Sequence, residues 1–235
     1  MHFPNVISVA AVLSSLASAA PTRRCEGEGT CPEVQTWDNC LLPNQTALTF
    51  DDGPAGFEKE IMQTLGDRKA TFFLNGCNSQ CIYEEENVNN IRALHDAGHT
   101  LGSHGWTHAN FSTLSFDQIH DELWKMEVAF SKILGLKPLY FRAPYGETSD
   151  TLMTVLAQRG YKKNFLWSDD VGDSSLLGVD YGKELYDSIA ETWPNPHMVL
   201  NHASHEETVK QTLPYAMEAL EQVGEPQERD ETWVC

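Results

Sequence analysis

Ala47-Leu48-Thr49-Phe50-Asp51-Asp52-Gly53-Pro54 joins a short apolar run, two adjacent carboxylates and a Gly-Pro break. The run at 47–50 reads as a buried strand, and Gly53-Pro54 turns the chain directly after it, leaving both aspartates at the strand's exit. Two like charges that close repel, and one takes up a proton unless a cation or an arginine sits between them. Taken alone, Asp-Asp-Gly reads first as an Asx turn with two solvated carboxylates. What separates the two readings is what stands at the ends of the other apolar runs.

Outward from this strand, apolar runs alternate with helical patterns. The spacing predicts a helix near 57–67, a strand at Thr71–Leu74, a helix near 85–97 ended by Gly98, and a strand near 99–103. A long helix over 116–134 capped by Ser115, a strand at Leu139–Phe141 and a helix near 149–159 come next. Strands near 162–167 and 198–201 follow, with weaker helical text between them, and a last helix over 206–223. Such alternation means an α/β fold of parallel strands and crossover helices, and this many repeats predicts a barrel or a nearly closed one.

At 235 residues and 41% hydrophobic content the chain supports one core, so no second domain is expected. Residues 1–19 read as a signal peptide: Val6–Leu16 is apolar but too short to span a bilayer, and Ala17-Ser18-Ala19 has the small-x-small form of a cleavage site. Secretion to the extracellular space or cell wall is expected, without a membrane anchor. Arg23-Arg24 is either a dibasic processing site or a pair of solvated arginines. Residues 20–39 read as a cysteine-pinned lead-in, and 40–235 as the domain proper. The six cysteines fit an oxidising compartment; local pairing joins Cys25 to Cys31 and Cys77 to Cys81, which leaves Cys40 for Cys235. Asn44 and Asn110 open glycosylation sequons. A net charge of −18 argues against nucleic acid or an anionic membrane as partner, but not against a neutral or cationic polymer.

Polar clusters follow the strands. The first exits into Asp51-Asp52, the third into His104-Gly-Trp-Thr-His108, the fourth into Arg142-Ala-Pro-Tyr-Gly146, the fifth into Asp169-Asp170 and Asp173, and the last into His202. In a parallel β/α fold these exits share one face, where active sites of such folds lie. Histidines four apart present both imidazoles to one point, as a borderline metal needs, and Asp52 is the natural third ligand. Asp51 then stands ready to take a proton from metal-bound water. His95, His120, His197 and His205 have no second ligand at usable spacing and read as surface or supporting positions. His202 is set apart by the buried run Met198-Val199-Leu200 before it, and Asp170 is the expected holder of its other ring nitrogen. Arg142, in a loop shaped by Pro144 and Gly146, is placed to keep Asp51 ionised.

In this order, these pieces resemble the five motifs of the polysaccharide deacetylase family of carbohydrate esterases, and within it the fungal chitin deacetylases. The resemblance covers about 45–223. It implies Asp51 as base, Asp52, His104 and His108 as metal ligands, and Arg142 as the residue that positions the base. It also implies that the Tyr145 backbone N–H serves the oxyanion, Asp170 orients the acid, Leu200 lines the acetyl pocket and His202 is the acid. Two positions depart from the pattern: Ser174 stands where Trp is usual and Ala109 where Pro is common. Leu176 and Leu177, on the same loop, are expected to replace the missing wall.

The family further implies a distorted, incompletely closed (β/α) barrel and a zinc ion, with Co2+ or another divalent ion as a substitute. The resulting reading is a monomeric chitin deacetylase, with metal-bound water as nucleophile and chitin or chitooligosaccharide as substrate. Its alternatives are an O-acetyl esterase acting on acetylxylan and a non-catalytic chitin-binding or masking protein.

Overall fold

The computed structural model describes residues 33–223. Its centre is a parallel sheet of eight strands: β1 (Gln35–Trp37), β2 (Thr46–Gly53), β3 (Thr71–Leu74), β4 (Thr100–Ser103), β5 (Tyr140–Arg142), β6 (Lys163–Phe165), β7 (Asp169–Asp170) and β8 (His197–His202). The spatial order is β1-β6-β5-β4-β3-β2-β8-β7. Outside it pack α1 (Glu58–Leu65), α2 (Glu85–Asp96), α3 (Phe116–Leu134), α4 (Asp150–Arg159), α5 (Val179–Glu191) and α6 (Leu213–Gln222).

The strand β3, Thr-Phe-Phe-Leu, is buried at all four positions, as a strand covered on both faces must be. Its two phenylalanines divide the work. Phe72 stacks on Phe50 at 5.2 Å in the large cluster beneath the helices. Phe73 points the other way and meets Phe165 of β6 at 5.9 Å between ring centres. On a flat sheet, strands three places apart are about 14 Å from each other. The sheet therefore curls, and Phe73, Phe165 and Met198, with Trp37, Ala47 and Tyr140 against them, fill its inside. The curl stops short of closure, since β1 and β7 are its two ends. The incompletely closed barrel expected from the sequence is thus the observed fold.

The helix ends follow their sequence signals. Ser115 and Gln118 form a reciprocal capping box at the start of α3, and Gly135 ends it in the left-handed conformation. The helix expected over 206–223 is two elements, a π-helical turn at Thr208–Thr212 and then α6. Pro214 explains the break, because it has no N–H for the preceding turn and its ring crowds the carbonyl four residues back.

Three expectations need correction. The sheet begins before Cys40: β1 lies inside the stretch read as lead-in and pairs with β6 from Gln35 to Trp37. Cys77 and Cys81 are free thiols, although they oppose each other across a short antiparallel bridge. Their loop is held by backbone bonds instead, from the Cys77 N–H to Trp106 O (2.8 Å) and the Ile82 N–H to Gly76 O (2.9 Å), with one thiol exposed and the other half-buried. Leu176 and Leu177 do not close a wall with Leu200, for they are 84% and 54% exposed while Leu200 is buried. Cys40 is disulfide-bonded. Residues 1–19, Arg23-Arg24, Cys25, Cys31 and Cys235 lie outside the described residues. No helix among the described residues is long and apolar enough to cross a membrane.

Candidate active site

Adjacent residues of a regular strand point to opposite faces. Asp51 and Asp52 escape that rule because β2 slips its register against β3 between Asp51 and Gly53, and Asp52 takes the left-handed conformation at φ 67°. Both carboxylates therefore face His104, whose Nε2 lies 3.6 Å from Asp51 Oδ2 and 3.9 Å from Asp52 Oδ1.

The ligand atoms of Asp52, His104 and His108 all lie within 4.8 Å of one another. His108 Nε2 stands 3.3 Å from Asp52 Oδ1. His104 is buried, and its Nδ1 sits 2.8 Å from the Arg142 carbonyl oxygen. A carbonyl only accepts, so Nδ1 carries the proton and the Nε2 lone pair faces Asp52. Burial lowers the His104 pKa, against the pull of Asp51 and Asp52, so the ring is neutral at neutral pH. Two imidazoles and one carboxylate converging on one point form a donor set that fits a catalytic divalent ion.

Asp51 is buried and held by Arg142, the largest fully buried side chain. The guanidinium donates from Nη1 to Asp51 Oδ1 (2.9 Å) and Thr49 Oγ1 (2.6 Å), and from Nη2 to Leu166 O (2.7 Å). Its plane lies over Phe73 at 4.4 Å. With Oδ1 engaged, Oδ2 is the free oxygen of Asp51, turned to the metal-ligand side.

On the other flank stands His202, at the end of β8 and in register with Asp51. The carboxylate that holds it is Asp173, not Asp170. Asp173 Oδ1 accepts from His202 Nδ1 at 2.7 Å, and Oδ2 accepts the His202 N–H (2.9 Å) and the Thr208 hydroxyl (2.8 Å). Asp170 lies within β7 and spends its Oδ1 on the Gly172 N–H at 2.8 Å, which shapes the turn that delivers Asp173. Burial depresses the His202 pKa, but the bond and charge of Asp173, with Asp51 and Asp52 nearby, outweigh it and raise it to about 9. The imidazolium is thus a loaded acid with Nε2–H free.

Tyr145 follows Pro144 in the left-handed conformation at φ 64°, with its ring edge-on to His108 at 4.7 Å. Five described non-glycine residues have positive φ, and Asp52, His108 and Tyr145 are three of them. Such backbone strain concentrates where the surroundings over-determine a geometry. Leu200 is buried beside Asp170 in the β7–β8 register. Of the sequon residues, Asn44 is exposed, while Asn110 is half-buried and accepts from the Ser112 N–H at 3.0 Å. Thr49, Thr208 and Asn78, whose amide donates to Asp52 Oδ1 at 3.0 Å, are parts of the site that sequence reasoning did not select, and Asp173 enters that reasoning only as a strand exit, without a role. Of the other described histidines, His205 packs against the His202 ring, while the rest serve elsewhere: His95 beside Asp96, His99 accepting the Ala70 N–H, His120 on Arg159 and His197 on Asp169.

The family model described as polysaccharide deacetylase matches residues 38–163. A chitin deacetylase from Pestalotiopsis sp. is 33% identical over 220 residues, which is 92% of this chain and 71% of that protein. The solved chitin deacetylase of the fungal pathogen Colletotrichum lindemuthianum has a TM-score of 0.77 at 30% identity, covering 83% of this chain and 88% of its own. A CE4 family pseudoenzyme from Bacillus anthracis has the same fold, with a TM-score of 0.68 at 24% identity over 81% of this chain and 65% of its own. With the family model covering more than half of the sequence, the chain belongs to the polysaccharide deacetylase family.

Proposed function

We propose that the protein is a secreted, metal-dependent hydrolase that removes N-acetyl groups from chitin or chitooligosaccharides. One observation carries this reading. A base clamped by an arginine (Asp51–Arg142) and an acid clamped by a carboxylate (His202–Asp173) flank the Asp52-His104-His108 set from two sides. A pure binder needs neither.

Asp52, His104 and His108 would hold zinc, cobalt or a similar divalent ion, which would supply Lewis acidity and acidify the attacking water. Asp51 takes the proton of the attacking water on Oδ2, while Arg142 keeps Oδ1 engaged. The carbonyl carbon gains an oxygen, and the Tyr145 N–H stabilises the charge that develops, a contribution of about 3 kcal/mol for such donors. His202 gives its Nε2 proton to the amide nitrogen, the C–N bond breaks, and acetate and a free amine leave. Asp173 fixes the ring's tautomer and orientation throughout. An exposed Asn44 sequon and the Cys40 disulfide support secretion, and the chain is proposed to act as a monomer.

Acetate release from chitooligosaccharides, measured beside acetylxylan, tests the reading. Release from the amino-sugar chain is expected. Release from acetylxylan alone makes the enzyme an O-acetyl esterase, and release from neither leaves a binding protein of the same fold.

A further inference from the structure

Gly105-Trp106-Thr107 links the two histidines, and its shape decides how far apart their rings stand. The sheet side holds its start and its middle: Asn75 Nδ2 donates to the carbonyls of His104 (2.7 Å) and Gly105 (3.0 Å), and the Trp106 carbonyl accepts from the Gly76 (3.1 Å) and Cys77 (2.8 Å) N–H groups. The other end is held by α3. Glu122, buried on that helix, accepts the Trp106 N–H at 2.8 Å and the Thr107 N–H at 2.9 Å on Oε2, and the Thr107 hydroxyl at 3.0 Å on Oε1. No lysine or arginine pairs with Glu122 among the described residues. A buried carboxyl group without a counter-ion depends on hydrogen bonds, and the three that Glu122 makes all come from the link. Beyond the link, His108 holds a left-handed backbone at φ 57°, which requires support from its surroundings.

We infer that Glu122 is a positioning residue for the metal site: its carboxylate sets the Gly105-Trp106-Thr107 link and through it the facing of His104 and His108. This rests on the metal reading proposed above. It predicts an effect on metal binding that is separable from catalysis, since Glu122 contacts neither Asp51 nor His202.

The test is zinc affinity by competition with a chromogenic chelator, read with the melting temperature of the metal-free protein, for wild type, Glu122→Ala, Glu122→Gln and Thr107→Val. Glutamine keeps an oxygen for the two N–H groups and an amide for the threonine hydroxyl. Glu122→Ala should weaken zinc binding about 10- to 100-fold, as loss of an outer partner of a ligand does, while Glu122→Gln stays within about threefold of wild type. Thr107→Val, which removes only the hydroxyl bond, should fall between them and carries the test if the alanine variant does not fold. Zinc affinity within about twofold of wild type in Glu122→Ala or, should that variant not fold, in Thr107→Val overturns the inference, as does a glutamine variant as weak as alanine. A wild-type protein that binds no divalent ion overturns the metal reading itself and this inference with it, an outcome distinct from normal binding in every variant.

Discussion

Arg142 holds His104 with its backbone and Asp51 with its side chain: its carbonyl oxygen lies 2.8 Å from His104 Nδ1, and its Nη1 lies 2.9 Å from Asp51 Oδ1. One residue thereby orients a metal ligand and the base, and the two functions can be separated by mutation. Arg142→Lys preserves the carbonyl and should preserve zinc binding. It removes the planar fork that bonds Asp51, Thr49 and Leu166 together, so kcat should fall by about 100-fold or more. Arg142→Ala additionally strands a buried carboxylate and should cost on the order of 3–5 kcal/mol of stability. Zinc content, kcat and urea unfolding of the two variants check this. Loss of zinc in the lysine variant contradicts it.

The adjacent aspartates should respond differently to the same substitution. Asp51→Asn should abolish turnover, a loss of about 10²- to 10⁴-fold, and retain the metal. Asp52→Asn should lose the metal, and added zinc or cobalt should restore little activity to it. In wild type, chelation should stop turnover and zinc or cobalt should return it. Full turnover of the chelated enzyme shows that no ion is required.

Stability of the metal-free protein should depend on pH through His202 and Asp173. The His202 pKa is raised from an ordinary 6.5 to about 9, so its contribution is complete below 6.5 and is lost as pH rises through about 9. Burial pushes the Asp173 pKa up, but its bonds to His202 outweigh this and hold it below its ordinary 3.8, so its share is present above that value and lost on acidification. Wild type should therefore exceed Asp173→Asn in stability by an amount on the order of 3 kcal/mol near neutrality, shrinking towards both extremes. Melting curves from pH 3 to 10 measure the gap. A gap that stays constant across that range removes the ion pair from the account. The alkaline limb of kcat should also move to lower pH in the variant, because its imidazole loses the carboxylate that keeps it protonated.

Cys40 is bonded while Cys77 and Cys81 are thiols, so its partner is Cys25, Cys31 or Cys235. We expect Cys235, which would close a loop around nearly the whole sheet and contribute roughly 4–5 kcal/mol in the chain-entropy account. Non-reducing peptide mapping decides among the three. The same digest should show Cys77, the exposed thiol, alkylated before Cys81.

Much of this was legible in the sequence because it depends on local pattern. Runs such as Thr71–Leu74 and the Ser115 cap mark their own elements, and the polar exits after β2, β4, β5 and β8 mark the face of the site. What stayed hidden depends on backbone detail or distant packing. Asp170, at the end of β7, and Asp173, in the loop after it, are three apart, and only the turn made by Asp170 with Gly172 shows which of them meets His202. Cys77 and Cys81 have disulfide-like spacing, which does not report where their sulfurs point. β1 is three residues long and polar in part, too short for a periodic signal, and is held in place by pairing with β6. Glu122 lies in the middle of a helix and shows its partners only once α3 packs against the histidine link.

The sheet that does not close has ends, and strand ends invite another chain to add to them. Here both ends are short: β1 offers three residues and β7 two, with an aspartate at each position of β7. Such stubs, carried on a chain with a net charge of −18, give a neighbouring copy little backbone to pair with. An open barrel can thus stay free of edge-to-edge self-association even where it accumulates at high local concentration.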